Sequence, residues 1–201
     1  MSAPRTRGRP ESTSRGDIEQ AAFALFARQG FDGTTVDQIA AAVGVTRRTL
    51  FRYYPSKNDI PWGDFDAALV GFRQLLDAQD ADLALWTALS RAIAAFNSFS
   101  SDARPAHADR MRLILSTPAL QAHSALRHEA WRAEVVRFVR LRRGLDEQHP
   151  LPGLLAHVAL ATSLASYDQW LSGGDPAPAR LEAILLESFD RVRAEMAPGA
   201  R

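Results

Sequence analysis

Residues 34–57, TTVDQIAAAVGVTRRTLFRYYPSK, restrict the possible folds more than any other stretch. They read as two short helices around a glycine turn. Thr35 followed by Gln38 predicts a capping box at the start of the first helix. Ile39 and Val43, four residues apart, fall on one face. Gly44 supplies the left-handed backbone that a tight turn requires. Thr46 is placed to cap a second helix over Arg47 to Tyr53. Pro55 ends that helix, because the residue before a proline is disfavoured in the helical region.

The second helix has two unlike faces. Leu50 and Tyr54 are four apart and are expected inward. Arg48 and Arg52 share the opposite face, with Thr49 and Phe51 beside them and Arg47 at the helix start. Three arginines on so short a helix are hard to explain as packing. The planar guanidinium matches guanine edges and phosphate oxygens. These residues favour a helix-turn-helix that reads double-stranded DNA. The alternative is a solvated arginine face on an all-α module that binds protein or a small molecule without DNA.

The charge is divided along the chain in the same sense. Residues 1–57 hold nine basic and five acidic side chains, and the remainder hold fifteen and eighteen, although the net charge is only +1. A basic end on a mildly acidic body suits a partner that presents phosphates to one end. Residues 1–13 read as a disordered basic arm. Within it, Arg7-Gly8-Arg9-Pro10 resembles the core of a minor-groove AT-hook, which makes Arg7 and Arg9 candidate DNA contacts. A plain solubilising tail is the competing reading.

Several function classes find no support. The chain has no cysteine, so disulfides and thiolate metal sites are excluded. None of the five histidines is four residues from another, so no helical metal pair is expected. No glycine-rich phosphate loop or nucleophile elbow appears, and we expect no enzyme and no cofactor. The N-terminus is polar and no long apolar run occurs, which predicts a cytoplasmic protein without a membrane span.

Periodicity beyond this stretch predicts an all-α chain of about nine helices. Ile18, Ala22, Leu25 and Phe26 mark a helix over 14–29, with Gly30 as its C-cap. Ser56 and Asp59 are spaced to cap a helix running from Lys57 to Ala78. Further helices are expected over about 82–99, 106–116, 117–143 and 151–172, and from Pro176 or Pro178 to about Met196. Between Leu151 and Leu171 the only formal charge is Asp168, and small residues recur, so this helix is expected to be buried on more than one side. We expect it and the last helix to pair with their copies in a homodimer, with Ala161, Ala165, Leu185 and Phe189 at the interface.

Phe26, Gly30-Phe31, Thr34-Thr35, Ile39-Ala40, Gly44-Val45, Thr49-Leu50-Phe51-Arg52-Tyr53-Tyr54 and Ser56-Lys57 together resemble the DNA-binding domain of TetR-type transcriptional regulators over residues 14–60. The segment Ile60–Asp66, with Arg47–Tyr54, is similar to regulators associated with mycofactocin biosynthesis genes. The resemblance implies a helix-turn-helix domain over 14–56 and an effector-binding and dimerisation domain over 57–201. It implies base or near-base contacts from Arg47, Arg48, Thr49 and Arg52, with Thr46 at the same helix end. Phosphate contacts would come from Thr35, Phe51, Tyr53 and Lys57. Arg48 stands where a small residue is usual, and adds a contact. Phe51 stands where tyrosine is usual, and lacks the hydroxyl.

The resemblance also implies a repressor released from its operator by a small molecule held between helices. Trp62, Phe65, Leu69, Phe72, Trp86, Phe96, Met111, Ile114, Trp131, Phe138 and Tyr167 are the expected lining. Any one of them taken singly is better explained as core; collectively they could line a cavity. Arg110, Arg112 and His123 are candidate anchors for an anionic group, and are equally well read as surface residues. A long acyl chain, free as a fatty acid or carried on coenzyme A, is the expected effector.

Overall fold

The computed structural model describes residues 13–174 and 176–197. Among them are nine α-helices, one 3-10 segment and no strand. The chain divides into two units, Met1–Gly63 and Asp64–Arg201.

The first unit holds α1 (Arg15–Gln29), α2 (Val36–Ala42), α3 (Arg47–Tyr53) and a 3-10 segment, Lys57–Trp62. Ser14 and Asp17 close a capping box on α1, and Gly30 ends it at φ 77°. The capping box expected on α2 is present, with Gln38 N donating to Thr35 Oγ1 and Thr35 N to Gln38 Oε1. Gly44 takes φ 68°, and Thr46 caps α3 by accepting from Thr49 N. Ile18, Ala22, Ile39 and Leu50 are fully buried, and Tyr54 nearly so. The Tyr54 hydroxyl donates to Glu19 Oε1 at 2.6 Å, which ties the end of α3 to α1.

The helix expected from Lys57 to Ala78 is broken. Residues 57–62 form the 3-10 segment, Gly63 takes φ 61°, and α4 (Phe65–Asp77) restarts under a new cap, Asp64 Oδ1 accepting from Ala67 N. Pro61 cannot donate a backbone hydrogen bond, and Gly63 adopts a backbone that continues no right-handed helix. Ser56 does not cap this segment; its hydroxyl donates to the Asp59 carboxylate at 2.7 Å. Asp59, Ile60 and Pro61 are buried in the first unit, so the division falls at 63/64, beyond the expected 56/57.

The second unit comprises α4, α5 (Leu85–Phe96), α6 (His107–Ser116), α7 (Pro118–Arg143), α8 (Pro150–Ser172) and α9 (Pro178–Glu195). Helices α7 and α8 pack together, α9 packs on α8 and α5, and α4 packs on α5 and α7. Arg73 of α4, half-exposed, grips the buried carboxylate of Glu134 on α7, Nε and Nη2 donating to its two oxygens at 2.8 and 2.6 Å. Arg137 donates to Glu134 at 3.2 Å and to Asp77 at 2.7 Å. The Arg73 hydrogen bonds hold the Glu134 carboxyl below its ordinary pKa. Arg142, over the Phe138 ring, donates to several carbonyls of the α4–α5 loop, Leu83 O among them at 2.6 Å.

A buried polar chain links α5, α6 and α8. The Tyr167 hydroxyl donates to Asn97 Oδ1 at 2.6 Å and lies 2.9 Å from His107 Nε2. The tyrosine has one proton and it is spent on Asn97, so His107 Nε2–H is the donor in the second bond. His107 also stacks on Phe99 at 4.1 Å. Burial, with help from the Arg110 charge, pulls its pKa down to about 4.

His107 is thus neutral in the folded protein, whereas the unfolded chain protonates it near 6.5. Its contribution is intact above that value and is lost as pH falls toward 4, by up to about 3 kcal/mol. Urea denaturation of wild type and His107→Gln at pH 7 and pH 4.5 measures this. The wild type is expected to lose more stability than the variant; equal losses would mean that His107 is not held neutral.

Candidate nucleic-acid interface and effector region

Helix α3 sets out its arginines by burying its other face. Leu50 is fully buried, and Arg47, Arg48 and Arg52 are exposed. Among the described residues, Arg48 and Arg52 have no hydrogen-bond or ion-pair partner, so their guanidinium groups are available to an outside ligand. Arg47 differs. Its Nη1 donates to Asp37 Oδ2 at 3.1 Å and its guanidinium lies over the Phe51 ring. Both members of this pair are more than half exposed, so salt and a competing phosphate can displace it. The Thr46 and Thr49 hydroxyls bond each other at 3.0 Å, and Phe51 presents an exposed ring. Thr35 Oγ1 is engaged as the cap of α2.

Two expected phosphate contacts are employed elsewhere. The Tyr53 hydroxyl donates its only proton to Thr13 O at 2.6 Å, which anchors the start of the described chain beside α3. The Lys57 ammonium donates to Phe31 O at 2.7 Å and Thr34 O at 2.8 Å and lies over the Phe31 ring at 4.3 Å. Two of its three donors are thereby committed, and burial lowers its pKa. Neither role follows from residue spacing, because the acceptors are backbone carbonyls. Arg7 and Arg9 lie outside the described residues. Sequence reasoning also missed Asp37, although its place in the first turn of α2 was visible.

The residues of the expected effector lining are found in several packed clusters. Trp62 belongs to the first unit. In the second, Phe72 stacks on Trp131 at 5.1 Å and touches Phe96 at 4.7 Å. Trp86 packs on Phe189 and donates its indole N–H to Phe189 O at 2.8 Å. Tyr167 belongs to the His107 cluster with Trp170. Phe65 lies under Arg127, and Phe138 under Arg142. Ile114 is buried, while Leu69 and Met111 are half-buried. These rings fill one another's space. A pocket of about 630 Å³ opens instead between the C-terminal half of α7 and the N-terminal half of α8, and none of the eleven expected residues lines it. The arginines at 132, 137 and 140 were its signal in the sequence.

The two helices expected at a dimer interface divide. Ala161 and Ala165 are exposed on α8, in one stripe with Leu154 and Asp168. Leu185 and Phe189 of α9 are fully buried within the chain, against its own α5 and α8, and are unavailable to a second copy. Among the described residues, no helix is long and apolar enough to cross a membrane.

Residues 18–60 match the family described as "Bacterial regulatory proteins, tetR family", and residues 83–197 match "MftR C-terminal domain". The chain is 44% identical, over 82% of its length and 83% of the other's, to a protein of Mycobacterium tuberculosis named as a mycofactocin biosynthesis transcriptional regulator, MftR. It is 28% identical to the HTH-type transcriptional regulator TcmR of Streptomyces glaucescens, over 96% of this chain and 88% of that one. Among solved structures, the SmeT–triclosan complex aligns with a TM-score of 0.59 at 21% identity, covering 93% of each chain. A transcriptional regulator from Rhodococcus sp. Rha1 aligns at 0.55 and 18%, covering 92% of this chain and all of that one. At these identities the structures speak for the fold.

The placement of Lys57 separates two roles by experiment. Lys57→Met leaves the Phe31 and Thr34 carbonyls without their donor and is expected to cost about 1–2 kcal/mol of stability, read from denaturant midpoints. A residue that serves only a phosphate would leave the midpoint unchanged.

Proposed function

Because the chain belongs to the TetR family of bacterial transcriptional regulators, with an MftR-type C-terminal domain, we propose that it is a repressor that binds a two-half-site operator as a homodimer and leaves it on binding an effector. Proteins of this family are regulators and not enzymes. The observation that carries the DNA-reading role is the pair Arg48 and Arg52, exposed and without partners among the described residues, on a capped helix whose other face is core. An all-α module without DNA binding would leave that face unexplained. The regulated genes would be those of a mycofactocin system, as the name of the Mycobacterium relative suggests, and the protein would act in the cytoplasm.

The contacts fall into two classes in this reading. Arg48 and Arg52 reach base edges in the major groove, with Thr49 beside them, while Arg47 exchanges Asp37 for a phosphate. Thr35, Thr46 and Phe51 border the phosphates. The N-terminal arm brings Arg7 and Arg9 to the neighbouring minor groove. Two such heads must match successive major grooves, about 34 Å apart for adjacent turns, which calls for a dimer. The exposed Leu154–Ala161–Ala165 stripe of α8 is the surface through which two copies would meet on a two-fold axis. The effector is an apolar, acyl-type molecule. It releases DNA to the extent that it binds the DNA-incompetent conformer more tightly.

Three measurements check this. In a gel shift on DNA flanking the gene, Arg48→Ala is expected to lose about 1–3 kcal/mol on the operator and less on random DNA. Equal losses on both would make Arg48 a phosphate contact. Ala165→Asp is expected to yield monomers by light scattering and weaken operator binding; a wild type that is monomeric at micromolar concentration overturns the dimer. Acyl-CoA and fatty-acid species of graded chain length, titrated against the operator complex, are expected to release it; the acyl reading fails if no chain length shifts DNA affinity.

A further inference from the structure

We propose that the groove between α7 and α8 binds an anionic amphiphile, a molecule with an apolar chain and a single carboxylate or phosphate head, which Arg140 anchors. The proposal rests on the effector reading for its biological sense, but its geometry stands apart from the aromatic residues expected to hold an effector. Those rings are packed against one another, whereas this groove holds about 630 Å³, a volume suited to a small molecule.

The groove has the two kinds of wall that an amphiphile needs. Val136, Leu141 and Leu145 supply an apolar side, and Leu141 is 70% exposed, an apolar surface still open to a ligand. Arg132, Arg137 and Arg140 supply a basic side. Arg132 is ion-paired with Glu129, and Arg137 with Glu134 and Asp77. Arg140 is different. Its one carboxylate neighbour, Glu147, is 3.6 Å away and 86% exposed. Its Nε is buried and has no hydrogen-bond partner among the described residues. The rest of the side chain is part-exposed and lines the groove, so a ligand oxygen can reach its terminal donors in place of the exposed Glu147. Arginine's planar fork takes a carboxylate or a phosphate through two parallel bonds. Apolar wall and weakly paired cation together select an anionic head on an apolar body over a neutral oil or a small free anion.

Calorimetric titration of the full-length protein with dodecanoate, dodecyl phosphate and dodecanol tests this. Both anions are expected to bind once per chain and dodecanol at least tenfold more weakly; the ratio of the two anions tells which head the site prefers. Arg140→Gln is expected to bring the anions down to the level of dodecanol. Leu141→Glu, at a position exposed enough to leave the fold alone, is expected to weaken both anions at least tenfold. The proposal is overturned if dodecanol binds as well as dodecanoate, if both variants bind dodecanoate like the wild type, or if neither anion binds. The effector reading fails by a separate result: amphiphiles occupy the groove in the calorimeter and operator affinity does not change.

Discussion

A helix of seven residues does not stand by itself in water, and α3 exists because Leu50 and Tyr54 are buried beneath it. Everything the first unit can do depends on that burial. It fixes which side of α3 faces out, and so it delivers Arg48 and Arg52 to the surface together. The caps at Ser14, Thr35 and Thr46 fix where the three helices start. The Tyr54–Glu19 bond and the Lys57 ammonium, held by the α1–α2 loop, fasten the far side of the same helix. Lysine here serves the scaffold, and the arginines of α3 are left at the surface. The guanidinium is weakly hydrated and keeps its donors in a plane, which suits it to bases and phosphates.

The second unit obeys a different constraint. Its aromatic side chains are satisfied by one another, ring against ring, and by the indole and phenol hydrogen bonds to Phe189 O and Asn97. Some of its charges are satisfied across helices. Arg73, Glu134, Arg137 and Asp77 join α4 to α7 in a network in which each carboxylate meets a guanidinium. The helices of this unit are therefore positioned by contacts spread over its length, and its open space lies at a seam between two of them. The seam is bounded by α7 on one side and α8 on the other, so anything that filled it would touch two helices together.

Helix types and boundaries were legible because they rest on local chemistry. The Thr35–Gln38 capping box, the Gly44 turn and the Thr46 cap each involve residues within a few positions of one another. The break at Gly63 was equally local, but the apolar repeat of Phe65, Leu69, Phe72 and Leu76 concealed it, since a repeat shows a face and says nothing of where the helix starts. The roles of Tyr53, Lys57, Leu185 and Phe189 were not legible. Each depends on a partner far away in the chain, at separations that no spacing rule reaches.

By itself the sequence determined an all-α chain and a helix-turn-helix with an arginine face, because capping, turn and periodicity are properties of neighbouring residues; its link to a family of DNA-binding regulators was a resemblance of motifs. The tertiary structure decided which arginines of α3 remain unpaired, that the aromatic residues close on one another, that α9 turns Leu185 and Phe189 inward, and that room for a ligand lies beside Arg140. Those outcomes are set by which surfaces meet, and a side chain's availability is what remains after its neighbours in space have taken their share.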